Sequence, residues 1–292
     1  ALLPFPNIDP ILVSFDVFGR TFSIYWYAIA YISGFIVAWI WARYLISKPA
    51  LWADNKPPIT APQIEDLMTW MIIGTILGGR LGYVLFYQFS DFLAEPSRII
   101  RVWEGGMSFH GGFIGVIVAG ILYCRKTKLN PWSAGDLIAS SACFGLFFGR
   151  IANFVNGELW GRPTDVPWAV SFPSQAAQDC GQAIGELCGR HPSQLYEAIL
   201  EGPVLFALIV YLIFRRGWFK KPGQMIGLFL MGYGTARTIA EGFRQADPQF
   251  ITLDNPLGYV IRLGEFGLTM GQTLSLPMIL IGLIIIVVRK RA

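Results

Sequence analysis

The chain has 292 residues, of which 54% are hydrophobic and 14% charged, with a formal net charge of +4 and a mean hydropathy of +0.50. That balance excludes a disordered chain, and 4 cysteines are too few for a disulfide-framed secreted module. No basic block with interleaved aromatic residues is present, which excludes nucleic acid as a partner, so most of the chain reads as dissolved in lipid.

A helix needs about 20 largely apolar residues to cross the hydrocarbon core. Seven such runs follow one another, at 22–46, 67–89, 109–124, 132–155, 195–214, 224–243 and 269–288. The first is too long for the core of a signal peptide and lacks a positive leading region, so it is expected to stay in the mature protein. The third is short and opens on His110, Gly111 and Gly112, so it is expected to begin as irregular backbone shielded from lipid by protein. The fold class expected is an all-α integral membrane protein with seven transmembrane helices. Residues 1–292 form a single polytopic membrane domain in this reading, with an external head insertion at 157–194.

Cations sort by loop. Arg43, Lys48 and Lys56, then Arg125, Lys126 and Lys128, then Arg215, Arg216, Lys220 and Lys221, and finally Arg289, Lys290 and Arg291 fall on one side. The other side holds Arg20, Arg98, Arg101, Arg162, Arg190, Arg244 and Arg262, with no lysine. The positive-inside rule places the N-terminus outside and the C-terminus in the cytoplasm. Cys180 and Cys188 fall in the external segment, where an oxidising exterior permits a disulfide worth about 2 to 3 kcal/mol; two free thiols are the alternative. Cys124 and Cys143 read as small buried apolar residues.

Three cations, Arg80, Arg150 and Arg237, lie within the runs. A charge near the bilayer centre costs at least ~2.5 to 3.5 kcal/mol, so each needs a reason. All three fall in the outer half of the membrane. Tyr25, Tyr27, Tyr83, His110, Asn153, Asn156, Glu158, His191, Gln194, Glu197 and Glu201 reach a similar depth, and Tyr233 and Glu241 flank Arg237 at i−4 and i+4. A polar site built by six helices and open to the outer leaflet would explain them together.

Each also has a structural reading. Arg237 and Glu241 suit a self-neutralising pair, Arg80 suits a pin on backbone carbonyls, and Tyr25 and Tyr27 suit an interfacial aromatic belt. The spacings Gly78/Gly82, Gly111/Gly115 and Gly145/Gly149 read as close helix packing.

Arginine presents a planar, permanently charged fork matched to phosphate, so the cluster points to a phosphorylated, lipid-borne ligand. There is no HExxH, Cys/His cluster, GxSxG elbow or Walker loop, and residues 232–237 lack the third glycine of a dinucleotide fingerprint. No metal and no cofactor are expected. A lipid or anion transporter using the intramembrane arginines is the competing reading, which requires polar residues through the full depth and two related halves. A scaffold whose buried pairs only specify packing is a further one.

The stretch 149–162, GRIANFVNGELWGR, closely resembles the signature of bacterial prolipoprotein diacylglyceryl transferases. Residues 78–87 (GGRLGYVLFY), 103–112 (WEGGMSFHGG), 190–196 (RHPSQLY) and 233–244 (YGTARTIAEGFR) resemble the same family in the same order. Ala152 stands where the signature usually has glycine, and Tyr25 where many relatives have histidine. The resemblance implies seven spans with the N-terminus outside, in the bacterial inner (plasma) membrane, with the active site toward the periplasmic leaflet. It implies transfer of the diacylglyceryl group of phosphatidylglycerol to the lipobox cysteine thiol in a prolipoprotein signal peptide, with release of glycerol phosphate.

By resemblance, Arg150 and Arg237 hold the phosphate, with Arg237 nearest the leaving group and Glu241 orienting it. His110 is either the base for the thiol or a ligand of the head group. Asn153, Asn156 and Glu158 are expected to shape the head-group pocket, Tyr27 and Tyr83 to line the path of the lipid, and Gly161, Tyr233 and Arg244 to bind substrate. Both substrates, like the surrounding membrane lipids, lie in the bilayer, so entry is expected between helices, with 157–194 guiding the lipobox peptide.

Overall fold

The computed structural model describes residues 2–6, 8–86, 95–101, 105–181, 183, 186–264 and 266–291. The end of the second apolar run, and Trp103 and Glu104, lie outside the described residues. The long helices are α1 (Trp26–Ile46), α2 (Ala61–Phe86), α3 (Phe109–Thr127), α4 (Pro131–Val155), α5 (Ser193–Arg216), α6 (Gln224–Glu241) and α7 (Met270–Arg291). Among the described residues, α1, α2, α4, α5 and α7 are the 5 helices long and apolar enough to cross a membrane. The chain is mostly helical and forms two compact units, Ala1–Trp41 with Ile138–Ala292, and Ala42–Leu137.

In the unit Ala42–Leu137, α2 and α3 run antiparallel along a glycine seam. A Cβ on Gly82 would come within 2.8 Å of the Gly111 Cα, and one on Gly115 within 3.1 Å of the Gly78 Cα, so the two backbones touch. Small residues are what permit such contact in lipid, where no hydrophobic force drives helices together. The third apolar run begins as regular helix at Phe109, because Ser108 caps it by accepting from the Gly111 amide at 3.2 Å.

Arg80 is buried on α2 and spends its guanidinium on backbone carbonyls. Nε donates to Ile99 O at 2.9 Å, Nη1 to Gly105 O at 2.5 Å and Gly106 O at 3.0 Å, and Nη2 to Arg98 O at 2.5 Å. It fastens the chain leading into α3 to the face of α2.

In the other unit, residues expected to open the first span instead form a hairpin. Strands β2 (Ile11–Val17) and β3 (Arg20–Tyr25) pair antiparallel around Phe18 and Gly19, both at positive φ, and α1 starts at Trp26. The β-branched and aromatic residues of 21–25 favour the strand, and the tight turn closes it. Farther up the chain, β1 (Leu3–Pro4) pairs in parallel with β4 (Val170–Ser171). Behind that pair lies a small core of Val170, Phe172 and Ala177 packed against Phe5, Phe154 and Trp160. Cys180 and Cys188 form a disulfide with Cα atoms 6.1 Å apart. Gly34 on α1 lies against Gly145 of α4, its projected Cβ 3.2 Å from the Gly145 Cα.

Helix α5 contains a π segment at Leu200–Val204, with Gly202 at φ −91°, ψ −105° and Pro203 inside it. Proline has no N–H to continue the ladder, and the wider turn absorbs the break. Antiparallel packing of α6 on α7 again uses glycines: Gly227 faces Gly282, Gly234 faces Ser275, and Gly271 faces Glu241. Between α6 and α7 the chain includes the hairpin β5 (Ile261–Leu263) and β6 (Phe266–Leu268).

Candidate functional site

The charged residues of α4, α5 and α6 meet in one network. Glu197 and Glu201 stand one turn apart on α5, hence on one face, and so do Arg237 and Glu241 on α6. Arg150, near the end of α4, places Nη1 2.6 Å from Glu197 Oε2 and donates through Nε to Glu201 Oε2 at 3.0 Å. Arg237 takes the other oxygen of Glu197, Nη1 to Oε1 at 2.5 Å, while its Nη2 pairs with Glu241. Arg244, just beyond α6, reaches Glu197 Oε1 at 3.5 Å and Glu241 Oε1 at 3.9 Å. The second oxygen of Glu241 accepts from Thr269 Oγ1 at 2.7 Å.

Three cations and three anions balance in this network. The side chains of Glu197, Glu201 and Glu241 are only 2, 0 and 6% exposed, whereas those of Arg150, Arg237 and Arg244 retain 16, 15 and 13%. The arginine side chains are therefore the more accessible members of the network. Removal of any one partner would leave a buried charge uncompensated, which costs far more than an exposed pair contributes.

Beside it lies a second polar cluster. Glu158 Oε1 accepts from Asn153 Nδ2 at 2.8 Å and Asn156 Nδ2 at 3.4 Å. The chain reverses there through Gly157 and Leu159, both at positive φ. Gln194 holds the reversal by donating to Glu158 O at 2.5 Å, and Ser193 donates to Leu159 O at 3.0 Å. Tyr27 shares a hydrogen bond with Tyr31, 3.1 Å between oxygens, and lies within electrostatic reach of Glu158 and Arg150. Tyr233 is in the same reach of Glu201, Arg150, Arg237 and Glu197.

Gly161 sits at a backbone crossing, its amide donating to His191 O at 2.8 Å. A Cβ there would come within 2.6 Å of both His191 O and Phe243 O. Next to it, Arg162 donates from its amide to Phe243 O and from Nε to Arg244 O, each at 2.9 Å, which fixes the backbone carrying the Arg244 side chain. Arg190 braces the crossing from below, stacked 4.0 Å from the Trp160 ring centre and donating to the carbonyls of Gly161, Ala177 and Asp179. His191 shares a 3.1 Å hydrogen bond with the Tyr196 hydroxyl, and burial pulls its imidazole below the ordinary histidine value.

The structure thus brings together Arg150, Arg237, Arg244 and Glu241 directly, and Asn153, Asn156 and Glu158 beside them. His110, at the first turn of α3, and Tyr83, whose ring centre is 6.0 Å from the Arg80 guanidinium, belong to the unit Ala42–Leu137. Sequence reasoning grouped Glu197 and Glu201 with the arginines without giving them partners, and it passed over Thr269 and Gly271. A Gly271 Cβ would land on the Glu241 carboxyl group, so that glycine is what makes room for it. Among the described residues, no group of three or more His, Cys, Asp or Glu side chains is arranged to hold a metal ion.

The sequence profile of the prolipoprotein diacylglyceryl transferase family matches residues 13–288. The chain belongs to this family. It is 54% identical over 283 residues to the phosphatidylglycerol–prolipoprotein diacylglyceryl transferase of Ruegeria pomeroyi, covering 97% of this chain and 96% of the relative. Identity to the transferase of the same name from Cereibacter sphaeroides is 55% over 281 residues, 96% of each chain. With that of Roseobacter denitrificans it is 51% over 292 residues, 100% of this chain and 99% of the relative. Family membership therefore extends over the arginine network, the Asn153–Glu158 cluster and His110 alike.

Proposed function

We propose that this chain transfers the diacylglyceryl group of phosphatidylglycerol to the lipobox cysteine of a prolipoprotein. One observation carries the reading: Arg150 and Arg237 converge on a single carboxylate and keep part of each side chain accessible. In the reaction the cysteine sulfur attacks the glyceryl carbon bonded to the phosphate oxygen. The S–C bond forms as that C–O bond breaks, the electron pair leaves on glycerol phosphate, and the thiol proton passes to a base. Negative charge on the phosphate rises during bond breaking, so two fixed guanidiniums bind the transition state more tightly than the ground state. Arg237 is assigned nearest the leaving oxygen, oriented by Glu241, with Asn153, Asn156 and Glu158 around the glycerol head group. The relatives, at 54 and 55% identity, are named as transferases, which weighs against a transporter.

His110 is assigned as the base, because a neutral imidazole suits proton abstraction near neutral pH. A role in holding the head group is the competing assignment. His110→Gln separates them: lost base catalysis is relieved as rising pH supplies thiolate, whereas a lost head-group contact leaves the deficit flat.

The chain in this reading is one polytopic domain in the inner membrane, with seven spans, the N-terminus and 157–194 outside, and the site toward the periplasmic leaflet. Cation sorting supports the orientation. Glycine seams that pair α3 with α2 and α6 with α7 support counting the two less apolar helices as spans. A cysteine introduced as Leu253→Cys should react with an impermeant thiol reagent in intact spheroplasts and one at Lys220→Cys only after lysis; the opposite pattern overturns the orientation. For the activity, purified protein with phosphatidylglycerol and a lipobox peptide should add one diacylglyceryl mass to the cysteine and release glycerol phosphate. Folded protein that gives no such mass gain refutes the reading.

A further inference from the structure

We propose that Glu197 is an internal competitor of the substrate's phosphate: its carboxylate occupies Arg150 and Arg237, the lipid head group displaces it, and its return helps expel the phosphate product. The inference rests on the transferase reading above.

Each of the two arginines has one carboxylate of its own and one that it shares. Arg150 is held from behind by Glu201 through Nε and Nη2, at 3.0 and 3.4 Å. Arg237 is held by Glu241, itself fixed by Thr269. Glu197 is the shared one, with Oε2 on Arg150 Nη1 at 2.6 Å and Oε1 on Arg237 Nη1 at 2.5 Å. Two parallel acceptor oxygens between two guanidinium edges is also the arrangement that the non-bridging oxygens of a phosphate diester adopt. Glu197 therefore marks where the phosphate belongs. Among the described residues its carboxylate forms ion pairs and hydrogen bonds only with Arg150, Arg237 and Arg244, and no hydroxyl like that of Thr269 donates to it. The charge balance points the same way. Three arginines already face three carboxylates, so adding a phosphate with Glu197 in place would bury an excess negative charge. With Glu197 withdrawn, Glu201 and Glu241 still hold the guanidiniums in position, so the phosphate enters a site that is already arranged.

The test is Glu197→Gln, assayed with glycerol phosphate as inhibitor of diacylglyceryl transfer. Loss of the competing charge should tighten inhibition by about 10-fold, equivalent to about 1.4 kcal/mol. The KM for phosphatidylglycerol should fall and kcat should fall with it as product release slows, a split that a purely structural role does not give. Unchanged or weaker inhibition in folded Glu197→Gln overturns the proposal. Should that variant not fold, a structure of the unaltered protein with glycerol phosphate bound decides: Glu197 should lie beyond about 4 Å, the limit of an ion pair, from Arg150 or Arg237. Retention of both contacts overturns the proposal. Unaltered protein without transfer activity refutes the transferase reading itself, whereas active unaltered protein with unchanged inhibition in Glu197→Gln refutes only the competitor role.

Discussion

Arg237→Gln separates a catalytic arginine from a packing one. The substitution removes the cation between Glu197 and Glu241, contacts now made by Nη1 at 2.5 Å and by Nη2. Two effects follow, and they differ in size and remedy. For stability, a broken buried pair costs roughly 3 to 5 kcal/mol, because the carboxylates remain without their partner. For catalysis, a unit charge at about 4 Å from the phosphate is worth about 4 kcal/mol at an effective dielectric of about 20. That corresponds to about 10³-fold in kcat/KM. The double variant Arg237→Gln with Glu241→Gln removes both members of the i,i+4 pair and should recover most of the lost stability, since the uncompensated charge goes with it. Transfer to the lipobox peptide, normalised to folded protein by thermal melting, should stay down by about 10³-fold in both variants. Activity that returns with abundance in the double variant would refute the phosphate role and leave Arg237 as a scaffold residue.

Gly271→Ala should push the Glu241 carboxylate off Arg237 and Thr269, destabilising by about 1 to 3 kcal/mol as overpacking does. Gly120→Ala on α3, where a Cβ meets nothing within 4 Å, should be neutral or stabilising; equal melting shifts for both would refute the packing assignment. Arg80→Gln should lower kcat/KM for the lipobox peptide and raise proteolysis within 95–106, because the carbonyls of Arg98, Ile99, Gly105 and Gly106 lose their donor; unchanged protection of that segment would refute it. His191 has a folded-state value lowered by burial. The unfolded chain therefore takes up a proton that the folded one resists, and stability should fall as pH drops below about 6.5. His191→Gln should flatten that slope in melting experiments, and an identical slope would refute the assignment.

The helices were legible from their apolar runs, of which those in α1, α2, α4, α5 and α7 are long and apolar enough to span lipid. The start of α1 was not, since 22–25 are as apolar as a helix but alternate as a strand. Its partner strand, Ile11–Val17, lies across a Phe18–Gly19 turn that hydropathy does not register. Ser108 ahead of Phe109 was a readable cap, and it gives α3 a regular start where Gly111 and Gly112 suggested an irregular one. In the site, Arg237 with Glu241 followed from helical spacing. Arg150 with Glu201 did not, because 51 residues separate them and only tertiary packing brings α4 to α5. Glycine at 271 reads as packing in general, and only its place against Glu241 shows what it accommodates. The Gly202-Pro203 pair was a visible signal of a broken ladder in α5, directly after Glu201.

That wider turn in α5 has a bearing on how the protein can change over generations. Above it the buried face carries Ser193, Gln194, Glu197 and Ala198, and Glu201 lies within the first residues of the turn; below it the buried face is Leu205, Ile209, Leu212 and Ile213. A residue lost or gained in a regular helix swings everything beyond it by about 100°. The part of this stretch that follows Glu201, at Gly202 and Pro203, already departs from the regular repeat, so it is the place on α5 where such an indel meets the least regular hydrogen bonding. The polar upper half and the greasy lower half are then free to diversify separately. Lineages adapting to thicker or thinner bilayers can rework the lower half while the carboxylates keep their bearing on the arginines.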